Sequence, residues 1–197
     1  LYEVEMKYKR LADVADIKFS VIVSSRLKKQ AVPTKWMACT NFLRDNTIDL
    51  NASNEYYVPD RDQLIRAGDI IVKRIAPTFV NYIERIPDGI YVGNNLIVVS
   101  PKQDIYSRYL AMFLNEQVES LSESSSVGAV MKSISKQHLE DVQVPVLPYE
   151  KQVLIGDIWY YNIELKKMKN KLTELETIQT NYYLKKLANP FGGKRNG

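Results

Sequence analysis

The sequence predicts a mixed α/β (α+β) fold, in which a β-rich globular head is followed by one long, coiled-coil-forming helix. Three observations carry that prediction. The first part of the chain holds short apolar runs separated by Gly, Asn and Pro, which punctuate strands and turns rather than long helices. Beyond it, large or apolar residues recur at Ile158, Tyr161, Leu165, Met168, Leu172, Leu175 and, after a polar Gln179, Tyr182, the four-three alternation of a coiled-coil seam. No proline or glycine interrupts Asp157 to Ala188. The expected division is a head over 1–148, a long helix over 149–189 and a flexible tail over 190–197.

Arg10 to Ile17 has short helical character, and Phe19 to Val23 reads as a strand. Ser24 to Lys35 is polar and basic around Pro33, as expected of an exposed loop, and a second extended segment follows over Trp36 to Leu43. Tyr56 to Val58 is a further short extended piece. Ala67-Gly68-Asp69 is a turn signal feeding Ile70-Ile71-Val72, an apolar run of buried-strand type that emerges at Lys73-Arg74. Gly89, Gly93, Asn94 and Asn95 punctuate a hairpin-like region before the strand Leu96 to Val99. From Ser107 to Leu121, residues Tyr109, Leu110, Phe113, Leu114, Val118 and Leu121 follow helical spacing. A serine-rich loop is expected over Ser120 to Ser126 and a short helix or turn over His138 to Val142. An extended run over Val142 to Leu147 then ends between Pro145 and Pro148. These prolines are expected to stop the sheet and start the helix at a fixed angle.

At about 1.5 Å per residue the helix extends roughly 45 to 60 Å. Lys166, Lys167, Lys169, Asn170, Lys171, Glu174 and Glu176 give it a polar exterior, so only one stripe is apolar, and a lone helix with such a stripe needs a partner. Near its start, Val153, Ile155 and Trp159 form an apolar patch that either meets a partner or packs against the head.

Composition removes several function classes. With 197 residues, 45% hydrophobic, the chain suits one domain plus the helix. A net charge of +4 is compatible with a polyanionic partner without requiring one. The single Cys39 excludes an internal disulfide framework and a cysteine-rich zinc site, and the single His138 excludes paired-histidine metal spacings, so no metal is expected and both residues read as structural. The sequence carries no apolar run of 18 or more residues and no signal-peptide pattern; a cytoplasmic protein with no membrane partner is expected.

The order of the segments resembles the DNA specificity subunits of type I restriction-modification systems, at half size, with one target recognition domain and one spacer helix. The matching pieces are Leu11-Ala-Asp-Val-Ala-Asp-Ile17, Ala67-Gly-Asp-Ile-Ile-Val72 and Asn94-Asn-Leu-Ile-Val-Val99, the last leading to the helix with Tyr109-Leu-Ala-Met-Phe-Leu114. Gly128 in a serine-rich loop follows, and then Val144-Pro-Val-Leu-Pro148 with Gln152 ahead of the long helix. The resemblance implies a non-catalytic reader of double-stranded DNA that delivers separate adenine methyltransferase subunits, and in complete systems a restriction subunit, to a bipartite target. The S-adenosylmethionine would be bound by the methyltransferase, so no cofactor and no catalytic residue are expected here. The residues agree: no glycine-rich cofactor loop follows a strand, and Asn189-Pro190-Phe191 lacks the second proline of an adenine-methylating motif. Acidic residues such as Asp60, Asp62, Asp69 and Asp88 sit at turns, where turn formation explains them better than acid-base chemistry.

Phosphate contact needs Lys or Arg on exposed loops, and base discrimination needs forked or planar polar side chains near a groove. Candidate DNA-binding residues are Arg26, Lys28, Lys29, Gln30 and Lys35 in the basic loop, Lys73 and Arg74 at the end of a buried strand, and Lys132. Arg74 is the leading base-contact candidate, because a strand fixes its backbone and its fork suits guanine. The resembled subunits carry two recognition domains and two antiparallel helices, whereas this chain has one of each. Two copies joined through Ile158, Tyr161, Leu165, Met168, Leu172, Leu175 and Tyr182 would restore the arrangement; the alternative is a piece of a longer chain. The charges Glu164 with Lys169 and Lys171 with Glu176 suit a parallel pair instead, at about 0 to 1 kcal/mol each. A stand-alone dimeric DNA-binding regulator and a non-DNA helical adaptor remain as other function classes.

Overall fold

The computed structural model describes residues 7–19, 32–51, 53–57, 63–93, 95–124 and 132–188. Their order is β1 (Lys7–Arg10), α1 (Leu11–Val14), β2 (Ala15–Phe19), β3 (Val32–Met37), β4 (Ser53–Tyr57), β5 (Ile70–Lys73), β6 (Val80–Tyr82), β7 (Ile90–Val92) and β8 (Leu96–Pro101), then α2 (Ser107–Ser124), α3 (Lys136–Glu140), β9 (Gln143–Val146) and α4 (Tyr149–Ala188). This is the mixed α+β architecture with a long C-terminal helix that the sequence predicts. The chain divides into two units, Leu1–Tyr160 and Tyr161–Gly197, so the first turns of α4 belong to the head.

The centre of the head is a four-stranded antiparallel sheet in the order β2-β8-β5-β6. Alternate side chains on its strands enter different cores. Ile70, Val72, Val80, Ile97 and Val99 join Leu11, Leu110, Leu114, Leu139 and Val144 on one face. Ile71, Leu96 and Val98 join Met37, Phe42, Ile65, Phe79, Ile83 and Val92 on the other. Both faces are covered, which is why β5 and β8 read as unbroken apolar runs rather than alternating ones. A three-stranded sheet, β4-β3-β7, supplies Met37, Ile90 and Val92 to the second core; there β3 runs antiparallel to β4 and parallel to β7. The ribbon β1-β9 closes the other side.

The turn before β5 forms as its residues dictate. Gly68 takes φ +90°, which a side chain resists, and the buried carboxylate of Asp69 accepts from the Arg66 amide at 2.7 Å and the Ser100 hydroxyl at 2.7 Å. Asp69 is thus a turn-builder.

Several boundaries differ from the sequence reading. The helical character near Arg10 is confined to Leu11–Val14, and Ala15 already opens β2. The basic loop ends earlier than Lys35, because β3 begins at Val32 and includes Pro33. There β3 pairs only with β4, its contact with β7 starting at Lys35, so a missing N–H is tolerated. The extended segment from Trp36 stops at Met37 and gives way to a short 3-10 turn, Cys39–Asn41, held by the Asn41 side chain accepting from the Ala38 amide at 2.8 Å. Pro145 does not stop the ribbon: it lies within β9, which pairs with β1 alone. The expected serine loop from Ser120 is helical through Ser124. Its hydroxyls turn inward, with Ser120, Ser122 and Ser124 donating to the carbonyls of Gln117, Glu119 and Leu121, so they do not compete with the helix from outside. The readings on 20–31, on Val58, Asp60 and Asp62, on Asn94, on Gly128 and on the tail from Asn189 lie outside the described residues.

Candidate nucleic-acid interface and the root of the long helix

One end of the central sheet gathers cationic side chains. Lys73, the last residue of β5, pairs with Leu96, the first of β8, and the same end receives Phe19, the last residue of β2, opposite Ile97. Neighbours on a strand point to opposite faces, and each of the two cations here finds a ring. The Lys73 ammonium lies 5.1 Å from the centre of Phe79, in the second core, and the Arg74 guanidinium 6.0 Å from Phe19, on the first. Arg74 is anchored twice more: its Nε donates to the Ile134 carbonyl at 3.1 Å, and its own carbonyl accepts from the Ile134 amide at 3.0 Å. Its plane is therefore set by the backbone. Lys132 is brought alongside, its carbonyl accepting from the Ala76 amide at 3.1 Å, while its ammonium is paired with Glu123 at 2.9 Å.

The structure thus brings Lys73, Arg74 and Lys132 together. Lys35 is exposed on β3, in the other sheet, and Arg26, Lys28, Lys29 and Gln30 lie outside the described residues, in the segment that follows Phe19. Among the described residues Lys73, Arg74 and Lys35 form no ion pair. Cys39 lies close enough to Lys73 to feel its charge, yet burial dominates and pushes the thiol up. His138 is exposed in α3, its amide donating to the Ser135 hydroxyl. Among the described residues no His, Cys, Asp and Glu group is arranged to hold a metal ion, and no helix is long and apolar enough to cross a membrane.

A second feature lies where α4 begins. Gln152, only 1% exposed, accepts from the Tyr106 amide at 3.0 Å and donates to the Leu147 and Asp104 carbonyls at 2.8 and 3.3 Å, locking the strand-to-helix junction. Gly156 lets α4 approach α2 closely: a Cβ there would lie 2.5 Å from the Tyr109 amide nitrogen. Arg108, buried on α2, donates to Asp157 of α4 at 2.6 Å and to Glu84 at 2.9 Å, with the Tyr160 ring 4.1 Å from its guanidinium and the Tyr82 ring at 5.7 Å. Tyr106 donates to the same Asp157 carboxylate at 2.7 Å. Burial, reinforced by that carboxylate, pushes the Tyr106 hydroxyl up to about 12. Burial opposes the Asp157 charge, but the bonds from Tyr106 and Arg108 outweigh it and hold the carboxyl below the usual range. Trp159 packs against the first core, which selects the intramolecular one of its two expected roles.

The seam residues lie on the other side of this root. At 100° per residue, Gln152, Gly156 and Trp159 share one face of α4, whereas Leu154 and Ile158 point away from it and are 61% and 55% exposed. Further along, Tyr161, Leu165, Met168, Leu172, Leu175 and Tyr182 are exposed as well, and Ile178, Tyr183, Leu184 and Leu187 widen the apolar surface. Glu164 and Lys171 are engaged within their own helix, with Lys167 at 2.8 Å and Glu174 at 2.7 Å, so the pairs that suggested a parallel coil already have local partners.

The comparisons identify the family: the model of the type I restriction modification DNA specificity domain matches residues 3–187, and the chain belongs to that family. Three solved structures share its fold. One, from a study of complex assembly and conformational transition of the type I R-M system, has a TM-score of 0.61 at 18% identity and covers 95% of this chain and 44% of that one. The HsdS subunit from Thermoanaerobacter tengcongensis gives 0.58 at 20% identity, covering 95% and 43%, and the type I S subunit from M. genitalium gives 0.55 at 15%, covering 91% and 45%. The chain therefore spans less than half the length of each of these structures. Comparison with the curated proteins gives no match.

Proposed function

We propose that this chain reads one half of a bipartite DNA target for a type I adenine methyltransferase and takes no part in the methyl transfer itself. The observation that carries this reading is the unbroken family match across both head and helix, residues 3–187. The cationic end formed by Lys73 and Arg74 would face the duplex, with Arg26, Lys28, Lys29 and Gln30 as further candidate contacts and Lys35 a separate contact on the neighbouring sheet. Lysines there supply phosphate affinity, and the held fork of Arg74 suits the paired acceptors of guanine. The seam from Ile158 to Tyr182 would take the matching seam of a second copy, related by a twofold axis, so that two heads read identical half-sites in inverted orientation. Methyltransferase subunits, and in a complete system a restriction subunit, would join this reader, the methyltransferase bringing S-adenosylmethionine.

The test is to co-express the chain with a type I modification subunit and map methylated adenines genome-wide. The expected product is a two-part motif with inverted identical halves. Tight specific DNA binding without any methylation partner would favour a stand-alone regulator instead, and absence of salt-dependent DNA binding would leave only an adaptor.

A further inference from the structure

We propose that Arg108 is a positioning residue for half-site spacing: by joining Glu84, Asp157 and the rings of Tyr82 and Tyr160, it fixes the first turns of α4 on the head and so restricts the separations between half-sites that the protein accepts. The inference rests on the bipartite reading above and adds the residue that makes the ruler rigid at its root.

Gln152 and Gly156 hold α4 at a set depth against the head, one through three hydrogen bonds and the other through backbone approach to Tyr109. Trp159 in the first core and the Tyr106 hydroxyl on Asp157 add further contacts. Arg108 ties these turns to a second segment of the head, because its fork reaches two carboxylates on different segments, Nη1 to Asp157 on α4 and Nη2 to Glu84 just beyond β6. Its guanidinium carbon lies over the Tyr160 ring, 4.1 Å from the centre, and that ring meets Tyr82 edge-on at a centroid separation of 5.6 Å. Three directions are thereby fixed by one side chain. A lysine, with a single charge point, has no plane to stack and no fork to divide.

Stability alone accounts poorly for such a cluster, since burying the Arg108 charge between partly exposed carboxylates costs desolvation that apolar residues of the same volume would not. Precision accounts for it well. Over the 40 residues of α4, about 60 Å of helix, a tilt of about 5° at the root displaces the far end by about 5 Å. One base-pair step is only about 3.4 Å. A reader that accepts a single spacing needs a stiffer root than hydrophobic packing supplies.

The test compares wild type, Arg108→Met and Arg108→Lys, each co-expressed with the modification subunit, by mapping modified adenines. Wild type is expected to modify one spacer length. Arg108→Met is expected to keep both half-site sequences and accept a spread of neighbouring spacer lengths, with Arg108→Lys between the two. A folded Arg108→Met protein with the wild-type spacer distribution overturns the proposal, as does a change confined to half-site sequence. If Arg108→Met does not fold, Glu84→Ala and Asp157→Ala, each removing the acceptor of one arm of the fork, carry the same expectation. A parallel measurement separates this inference from the reading beneath it. Spin labels at Gln103→Cys and Lys169→Cys in a Cys39→Ser background, diluted into unlabelled chain, should give a broader distance distribution on Arg108→Met whether or not methylation occurs. An unchanged width there sinks the proposal at its root, whereas a broader width with no bipartite methylation by wild type overturns the functional reading and with it the spacing role, leaving Arg108 as the clamp on the helix.

Discussion

At the residue scale, Gly156 and Gln152 decide whether the helix can root. Replacing glycine by alanine inside a helix ordinarily stabilises by up to about 1 kcal/mol. At Gly156 the added Cβ meets backbone of α2, the Tyr109 nitrogen and the Arg108 carbonyl carbon, neither of which can rotate away. Gly156→Ala is therefore expected to destabilise by about 1 to 3 kcal/mol despite its better propensity, read as a lower urea midpoint; an unchanged or raised midpoint would show that α4 can shift at no cost. Tyr106 and Asp157 give the junction a pH signature. The Tyr106 hydroxyl is raised to about 12 from its ordinary 10, so its contribution is complete below pH 10 and is lost as pH climbs from about 10 to 12. Asp157 is lowered, so its contribution is present above its ordinary 3.8 and is lost as pH falls through its depressed value. Thermal melting across pH should show both declines, and Tyr106→Phe should reduce the alkaline one without abolishing it, because burial also raises Tyr82 and Tyr109. Gln152 stood out in the sequence as the end of a proline-bounded motif, but its three partners are visible only in three dimensions. Arg108 was not legible at all, because its partners lie 24 and 49 residues away and an arginine at the start of a helix looks like ordinary surface. Arg74 was legible as a cation after a buried strand, yet the Phe19 ring and the Ile134 carbonyl that hold it come from distant segments.

At the scale of elements, the pattern of apolar residues was the reliable signal. The helix seam and the run Ile70 to Val72 were both readable, one because its apolar residues follow a coiled-coil repeat and the other because both sheet faces are covered. Ends of elements were less readable, since they turn on single local bonds: serine hydroxyls that extend α2, Asn41 that ends β3, and edge positions that admit Pro33 and Pro145. The seam itself carries a prediction. Leu165 and Leu172 are exposed on the long helix and contribute to no core, so Leu165→Asp with Leu172→Asp should leave the melting of the head unchanged. If the seam joins two copies, the same pair should abolish self-association, because it puts charges into a buried interface. Analytical ultracentrifugation reads this directly: wild type should sediment near 45 kDa, about twice the 22.7 kDa of one chain, and the double variant near one chain's mass. A wild-type chain that stays single at all concentrations would argue against self-pairing.

For the whole molecule, the modest net charge of +4 conceals how the charge is distributed. Many cations of the head are neutralised where they stand: Arg10 by Asp141, Lys102 near Asp16, Arg108 by two carboxylates, Lys132 by Glu123. Lys73 and Arg74 form no ion pair among the described residues, and they share one end of the central sheet. DNA affinity should therefore include phosphate contacts at this end, each releasing condensed counterions. A plot of log affinity against log salt should be linear, with each phosphate contact contributing about 0.9 to the slope. Lys73→Ala should flatten that slope by about 1 and weaken all sequences alike, whereas Arg74→Ala should cost about 1 to 3 kcal/mol on the cognate sequence and little elsewhere. Fluorescence anisotropy with cognate and scrambled duplexes over a salt series separates the two outcomes. Equal losses on both duplexes for Arg74→Ala would make it another phosphate contact and move base reading to the segment between Phe19 and Val32.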